Sequence, residues 1–198
     1  ELSGGGAFVT PAVARARDRL EGAARAAWTD WSLRAPAGRN TRLADLLEPD
    51  EAVAWNPPDL TRRLLGMMSP VQGARVEALR ATGGRHVGAL FRRTRREAGR
   101  SVQRAEARFD GLAGCLRTPR GGSSRQSVIV VEDGAVRTRL LAPREAARLM
   151  GLPETYVLPR GVSAALHVAG DGVCVPAVRW LADAILEPLL DALPPAGV

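Results

Sequence analysis

Ser-Val-Ile-Val-Val-Glu-Asp-Gly-Ala-Val-Arg-Thr-Arg-Leu, residues 127–140, decides how this chain folds. Leu-Ala-Pro-Arg-Glu-Ala-Ala-Arg-Leu-Met-Gly-Leu-Pro, residues 141–153, follows it directly. The apolar, branched stretch 127–132 has strand character. Asp133-Gly134 supplies the positive φ that a tight type I′ turn requires, so residues 135–140 read as the return strand of a hairpin. Pro143 then opens a helix where its missing N–H costs nothing, and Gly151 caps that helix. Strands running straight into a helix predict an α+β fold.

Working outward, residues 87–94 and 101–109 share the strand character. Before them the chain reads as helical. Residues 12–27 are rich in Ala and Arg and end near Trp28, and a Pro/Gly/Asn break falls at 36–40. A short helical pattern covers 43–47. Pro57-Pro58-Asp59 opens a helix with Leu60, Leu64, Leu65 and Met68 on one side. Pro70 starts another, which Gly83-Gly84 ends. A final helix begins near Pro176. Val178, Leu181, Ile185 and Leu186 form its apolar face, Arg179, Asp183 and Glu187 repeat on the other, and Pro188 is expected to end or kink it.

All 28 basic residues are Arg, a bias that a GC-rich genome explains. Their position says more than their identity. Residues 1–91 carry a net +2, residues 92–140 carry +7 and residues 141–198 carry −2. A cationic block of this kind is the footprint of a polyanionic partner. A solvated face, or a surface pairing with an acidic subunit, is the other reading, and charge alone does not choose. No apolar run approaches the ~20 residues of a membrane span. The start, Glu1-Leu2-Ser3-Gly4, lacks a signal layout and is not Met, so sequence upstream is expected, in a soluble intracellular protein. Cys115 and Cys174 have no metal spacing and no convincing partner in His86 or His167, and they read as small packing residues.

Three stretches, taken in order, resemble a known family. They are Cys-Leu-Arg-Thr-Pro-Arg-Gly-Gly-Ser-Ser (115–124), Pro143 to Pro153, and Gly-Asp-Gly-Val-Cys-Val-Pro (170–176). Together they are similar to the target-recognition loop and the ninth and tenth motifs of bacterial DNA cytosine-5 methyltransferases. The likeness is close over residues 85–190 and weaker over 1–84.

The resemblance implies an α+β architecture: a small twisted, antiparallel-rich recognition sheet with flanking helices. C-terminal helices would complete a Rossmann-like methyltransferase domain supplied elsewhere. Residues 1–84 would be a helical connecting region, 85–140 the recognition domain, and 141–198 the segment completing the catalytic domain. It implies double-stranded DNA as partner, contacted by Arg117, Thr118, Arg120, Gly121, Gly122, Ser123, Ser124, Arg125 and Gln126. Such an enzyme extrudes its cytosine and needs a rigid platform with Arg contacts to hold the gap. On its own the glycine loop reads as a hairpin turn; the arginine flanks and the resemblance shift that reading toward DNA.

S-adenosyl-L-methionine is the implied cofactor, lined by Asp171, Gly172 and Val173 ahead of a helix. Asp171 stands where the family usually has Asn, and Gly172 where it has Ser, so backbone contacts are the safer expectation. Arg144, Glu145 and Arg148 are read as structural, tying the ninth-motif helix to the sheet. A bacterial cytoplasm, near the nucleoid, is the implied location.

The motifs that carry the chemistry are not in these residues. There is no Pro-Cys nucleophile, no Glu-Asn-Val and no Gln-x-Arg-x-Arg. Gly4-Gly5-Gly6-Ala7-Phe8 does not replace the cofactor loop, because no strand precedes it. The expected role is therefore one part of a split or cut methyltransferase in restriction–modification, inactive alone. A partner chain carrying the catalytic half would complete it as a heterodimer. A non-catalytic, sequence-specific DNA-binding module and a dead scaffold are the alternatives.

Overall fold

The computed structural model describes residues 8–29, 33, 35–36, 38, 41–118 and 125–193. The chain divides into two compact units: residues 40–175, and residues 1–39 with 176–198.

The larger unit is built on one antiparallel sheet. Its strands are β1 (Arg85–Glu97), β2 (Arg100–Arg108), β3 (Ser127–Glu132) and β4 (Ala135–Leu140), in the order β2-β1-β3-β4. The Asp133-Gly134 hairpin forms as the sequence predicts, with φ of 46° and 79°. Ala98 and Gly99 turn the chain between β1 and β2 in the same way, at 45° and 77°; no Asn-Gly or Asp-Gly marked that turn in the sequence.

β3 is the centre of the unit. Val128, Ile129, Val130 and Val131 are each at most 1% exposed, so the strand is covered on both faces and shows an unbroken apolar run. On one face, α3 (Pro58–Gly66), α4 (Pro70–Thr82) and the intervening Met67 and Met68 pack on Leu90, Ala105, Ala107, Ile129 and Val131. On the other, α5 (Pro143–Leu149) and α6 (Val162–Asp171) bring Ala146 and Ala169 against Val128, Val130 and Leu141. Each outer edge is engaged at one point by another segment. The Ala105 N–H of β2 donates to the Met67 carbonyl at 3.1 Å, and the Asn56 N–H donates to Thr138 O of β4 at 2.9 Å.

One ion pair lies inside this apolar frame. Arg139 of β4 and Glu145 of α5 are 1% and 0% exposed and meet in a bidentate pair at 2.6 and 2.7 Å. Glu145 also accepts the N–H groups of Ala142 and Glu48, at 2.7 and 2.8 Å, which fixes the start of α5. The Trp55 ring lies under Arg139 and Arg137 at 5.3 and 4.3 Å. Near the surface, Asp50 bonds Arg85 and Arg137, and Arg85 above all holds its carboxyl down at about 2 from an ordinary 3.8.

Three local expectations differ from the structure, and at Pro188 the helix is distorted rather than ended. Residues 12–27 form two helices, α1 (Pro11–Asp18) and α2 (Gly22–Ala26), because the chain leaves helical geometry at Glu21 and turns through Gly22 at φ 54°. α6 was not anticipated; its glycine boundaries and small residues look like a loop until α5 supplies a packing partner. Pro188 does not end the last helix. α7 (Val175–Leu181) passes through a π-helical turn, Ala182–Leu186, into α8 (Glu187–Ala192). The wider turn accommodates the ring that would strike a carbonyl one turn earlier. Cys115 is exposed rather than packed.

In the smaller unit, Thr10 caps α1 by accepting from the Val13 N–H, and Phe8 meets Trp180 with ring centroids 5.2 Å apart. Val178, Leu181 and Leu186 remain 44–56% exposed. No helix among the described residues is long and apolar enough to cross a membrane.

Candidate nucleic-acid interface

β1 outruns the sheet. Its pairing with β3 ends at Leu90–Ser127, while its pairing with β2 continues to Glu97–Arg100. From there the two strands form a ribbon, exposed throughout residues 92–101. At the ribbon's base Gly88 is required, since a Cβ would lie 2.7 Å from the Arg108 carbonyl and 2.8 Å from the Phe109 ring.

Beside that base lies an open groove of about 740 Å³. Phe91, Arg92, Arg93, Thr94, Arg95 and Arg108 line it from the ribbon, and Gly114, Cys115, Arg117 and Gln126 from the far side. Five of these ten residues are Arg, and no carboxylate is among them. The Arg93 guanidinium stacks over Phe91 at 4.9 Å. Arg95 is bonded to Glu106, and Arg108 to Asp110 at 3.0 Å, which holds the Asp110 carboxyl below its ordinary range. Arg92 and Arg117 meet no carboxylate among the described residues.

The far side of the groove is the stem of the predicted DNA loop. Its two ends are held by different parts of the frame. At the outgoing end, Gln126 Nε2 donates to the Cys115 carbonyl at 3.2 Å, and the Gln126 carbonyl accepts from the Leu141 N–H at 2.9 Å. At the incoming end, Thr118 Oγ1 donates to the Asp171 carboxylate. Gly170 lies so close that a Cβ there would be 2.5 Å from the Thr118 nitrogen and 2.7 Å from the Arg117 carbonyl carbon. Arg117 is exposed; Arg125 is half-buried beside Leu116, Leu141 and Leu166. The structure thus brings Arg117, Thr118, Arg125 and Gln126 together. Arg120, Gly121, Gly122, Ser123 and Ser124 lie outside the described residues.

The predicted cofactor residues sit directly behind this stem. Asp171 is the last residue of α6 rather than part of a free loop, and its side chain is engaged by Thr118. A Cβ on Gly172 would come within 2.7 Å of the Val168 carbonyl, so this backbone has no room for the Ser of the family pattern. Val173 is 71% exposed. An exposed backbone edge at Gly172 and Val173 fits one wall of a cofactor site.

Of the ninth-motif charges, Glu145 ties its helix to the sheet through Arg139, whereas Arg144 and Arg148 are structural but bind other segments. Arg144 donates to the Tyr156 carbonyl at 2.9 Å, and Arg148 binds Glu154 at 2.6 Å and Glu48 at 3.1 Å. The buried Arg139 was missed. Alternation on β4 marked a strand, but nothing in the sequence distinguished an arginine under α5 from one in water.

The sheet and groove define an α+β domain with an arginine-lined face suited to a phosphate backbone. The C-5 cytosine-specific DNA methylase family matches residues 73–187, more than half of the sequence. The chain belongs to that family. Type II methyltransferase M1.ScrFI of Lactococcus lactis subsp. cremoris is 38% identical over 63 residues, 32% of this chain and 16% of that protein. M.NlaX of Neisseria lactamica is 37% identical over 57 residues, 29% and 18% of the two. M.HpaII of Haemophilus parainfluenzae is 43% identical over 51 residues, 26% and 14%. The chain therefore aligns with less than a fifth of the length of each of these relatives.

Proposed function

We propose that these residues are the DNA-recognition and cofactor-site-completing part of a DNA cytosine-5 methyltransferase. The observation that carries the reading is the arginine-lined groove, which joins the sheet to the loop stem within the family's own domain. Residues 85–140 bind duplex DNA, with the loop from Arg117 to Gln126 at the target. Residues 141–198 complete the catalytic domain, and residues 1–84 are a helical connecting region that leads into the recognition domain. Arg117 and Arg125 supply the charge-assisted contacts, and Thr118 sets the stem.

S-adenosylmethionine, which the family uses as methyl donor, would rest against the backbone of Gly172 and Val173. Asp171 serves the wall by orienting Thr118. The Pro-Cys and Glu-Asn-Val groups belong to a catalytic half, on a second chain or elsewhere in a longer one. The exposed stripe of Val178, Leu181 and Leu186 suits that half, because leaving such side chains in water forgoes roughly 1.5–3 kcal/mol each.

The test is to combine the chain with a polypeptide carrying those motifs and to follow labelled methyl transfer into duplex DNA. Methylation by the mixture and none by either part supports the reading, and Leu181→Asp is expected to abolish assembly and methylation together. DNA binding without methylation or assembly would favour a stand-alone binding module. Methylation by the 198 residues alone would overturn the division of labour.

A further inference from the structure

Resting on that reading, the smaller unit carries an inference about how the terminal helix is held ready for the catalytic half. Among the described residues, every buried one lies between Leu43 and Ala169, in the larger unit, and the smaller unit has none. The terminal helix therefore has no apolar core of its own unit to rest on. It is also weak by construction. The π turn at Ala182–Leu186 and the missing N–H of Pro188 both interrupt the regular ladder of helical bonds. A helix without packing is marginal in water, so something must support this one.

One support comes from the other end of the chain. The Thr10 N–H donates to the Phe8 carbonyl at 3.1 Å, and the Thr10 hydroxyl caps α1. The Phe8 ring thus stands at the start of a capped helix. It meets Trp180 at 5.2 Å with the ring planes tilted by 48°, a geometry in which aromatic pairs attract beyond the area they bury. α1 and α2, with eight and five residues, are themselves too short to stand alone. Each segment props the other.

The position of Trp180 on the helix decides what this contact does. At about 100° per residue, Trp180 lies about 160° around α7 from Val178 and about 100° from Leu181. The ring pair grips the helix on a flank away from the apolar stripe, and Val178 and Leu181 stay 47% and 44% exposed. A cover would have taken the stripe. A brace leaves it open.

We infer that Phe8 and Trp180 form a brace, by which residues 8–26 clasp the terminal helix from behind and keep it formed for the catalytic half. Ordering the helix beforehand removes that entropy cost from the docking step. Phe8 is a positioning residue: it acts through Trp180 and lies off the face given to the partner. The start of the chain then serves assembly as well as leading into the recognition domain.

The experiment uses the whole chain and a fluorescently labelled polypeptide carrying the Pro-Cys and Glu-Asn-Val motifs. Assembly is titrated by anisotropy, and backbone hydrogen exchange is followed over residues 175–193. The parent chain is compared with F8A, F8Y and L181D, and duplex binding by each checks that the larger unit is folded. F8A is expected to speed exchange in the terminal helix and to weaken assembly by about two- to tenfold. F8Y, which keeps a ring, should restore both. With the catalytic half in saturating excess, F8A should methylate at the parent rate. Assembly of F8A as tight as that of the parent, with L181D abolishing it, overturns the brace and leaves the proposed function standing. Tighter assembly by F8A also overturns it and makes residues 8–26 a cover. Failure of F8Y to restore what F8A loses overturns the ring contact as the cause. No assembly by the parent chain overturns the brace together with the reading on which it rests.

Discussion

At the inner end of the sheet, Arg139 is 1% exposed and both its terminal nitrogens are held by Glu145. At the outer end, Arg92 and Arg96 are exposed, and neither meets a carboxylate among the described residues. The residue type is the same, and so is the sheet. What differs is whether the partner is built in. A buried guanidinium must bring its carboxylate with it, because desolvation of a lone charge costs several kcal/mol. An exposed one has water and needs no protein partner, so a cluster of such residues calls for another explanation. Arg139 inside this domain fixes structure; Arg92 and Arg96 outside carry charge that no carboxylate among the described residues neutralises.

That contrast can be broken most directly at Glu145. Glu145→Ala strands a buried charge and releases the start of α5, so unfolding in urea should show a loss of about 3–5 kcal/mol. A loss under about 1 kcal/mol would mean that Arg139 finds solvent easily and that the two ends are not different in kind.

The next effect belongs to the outside. Arg117→Ala should leave urea unfolding unchanged while weakening duplex binding by about 1–3 kcal/mol, with relaxed preference at one base position if the side chain reads a base edge. A stability loss matching the binding loss would make Arg117 a structural residue.

A smaller change is expected at Thr118→Val, which removes the donor to Asp171. DNA affinity should fall by about 0.5–1.5 kcal/mol as the stem loosens. Gly170→Ala, which pushes on the Thr118 and Arg117 backbone, should weaken binding too, although it leaves every DNA-facing side chain in place. Full affinity in both variants would detach the stem from the α6 end.

The smallest effect is read against pH. The Asp50 carboxyl is held at about 2 in the folded chain against an ordinary 3.8, chiefly by Arg85. The folded state therefore binds fewer protons than the unfolded one in that window, and stability rises with pH across it. The contribution is complete above 3.8 and is lost as pH falls toward 2. Asp50→Asn should flatten the acid side of the stability curve there and leave the neutral side parallel to the original. An unaltered acid side would show that solvent screens this surface network.

Much of the larger unit was legible because its signals are local. Pro58, Pro70 and Pro143 each begin a helix, Gly83-Gly84 and Gly151 end them, and Asp133-Gly134 makes the hairpin. The stretches that escaped depend on neighbours distant in sequence. α6 is a helix because α5 covers it, and the last helix survives Pro188 because a π-turn widens ahead of the ring. For the site, residue types and order pointed to the stem, whereas the Asp171 engagement of Thr118 spans 53 positions and has no sequence pattern.

The stem has a consequence for how this protein can change over time. Its incoming end is held by Asp171 and the Gly170 backbone, and its outgoing end by Cys115 and Leu141, all of them outside the six positions from 119 to 124. Selection on where the loop ends sit therefore falls on these anchors: a change at Gly170 or Gln126 moves the stem even when every DNA-facing side chain is kept.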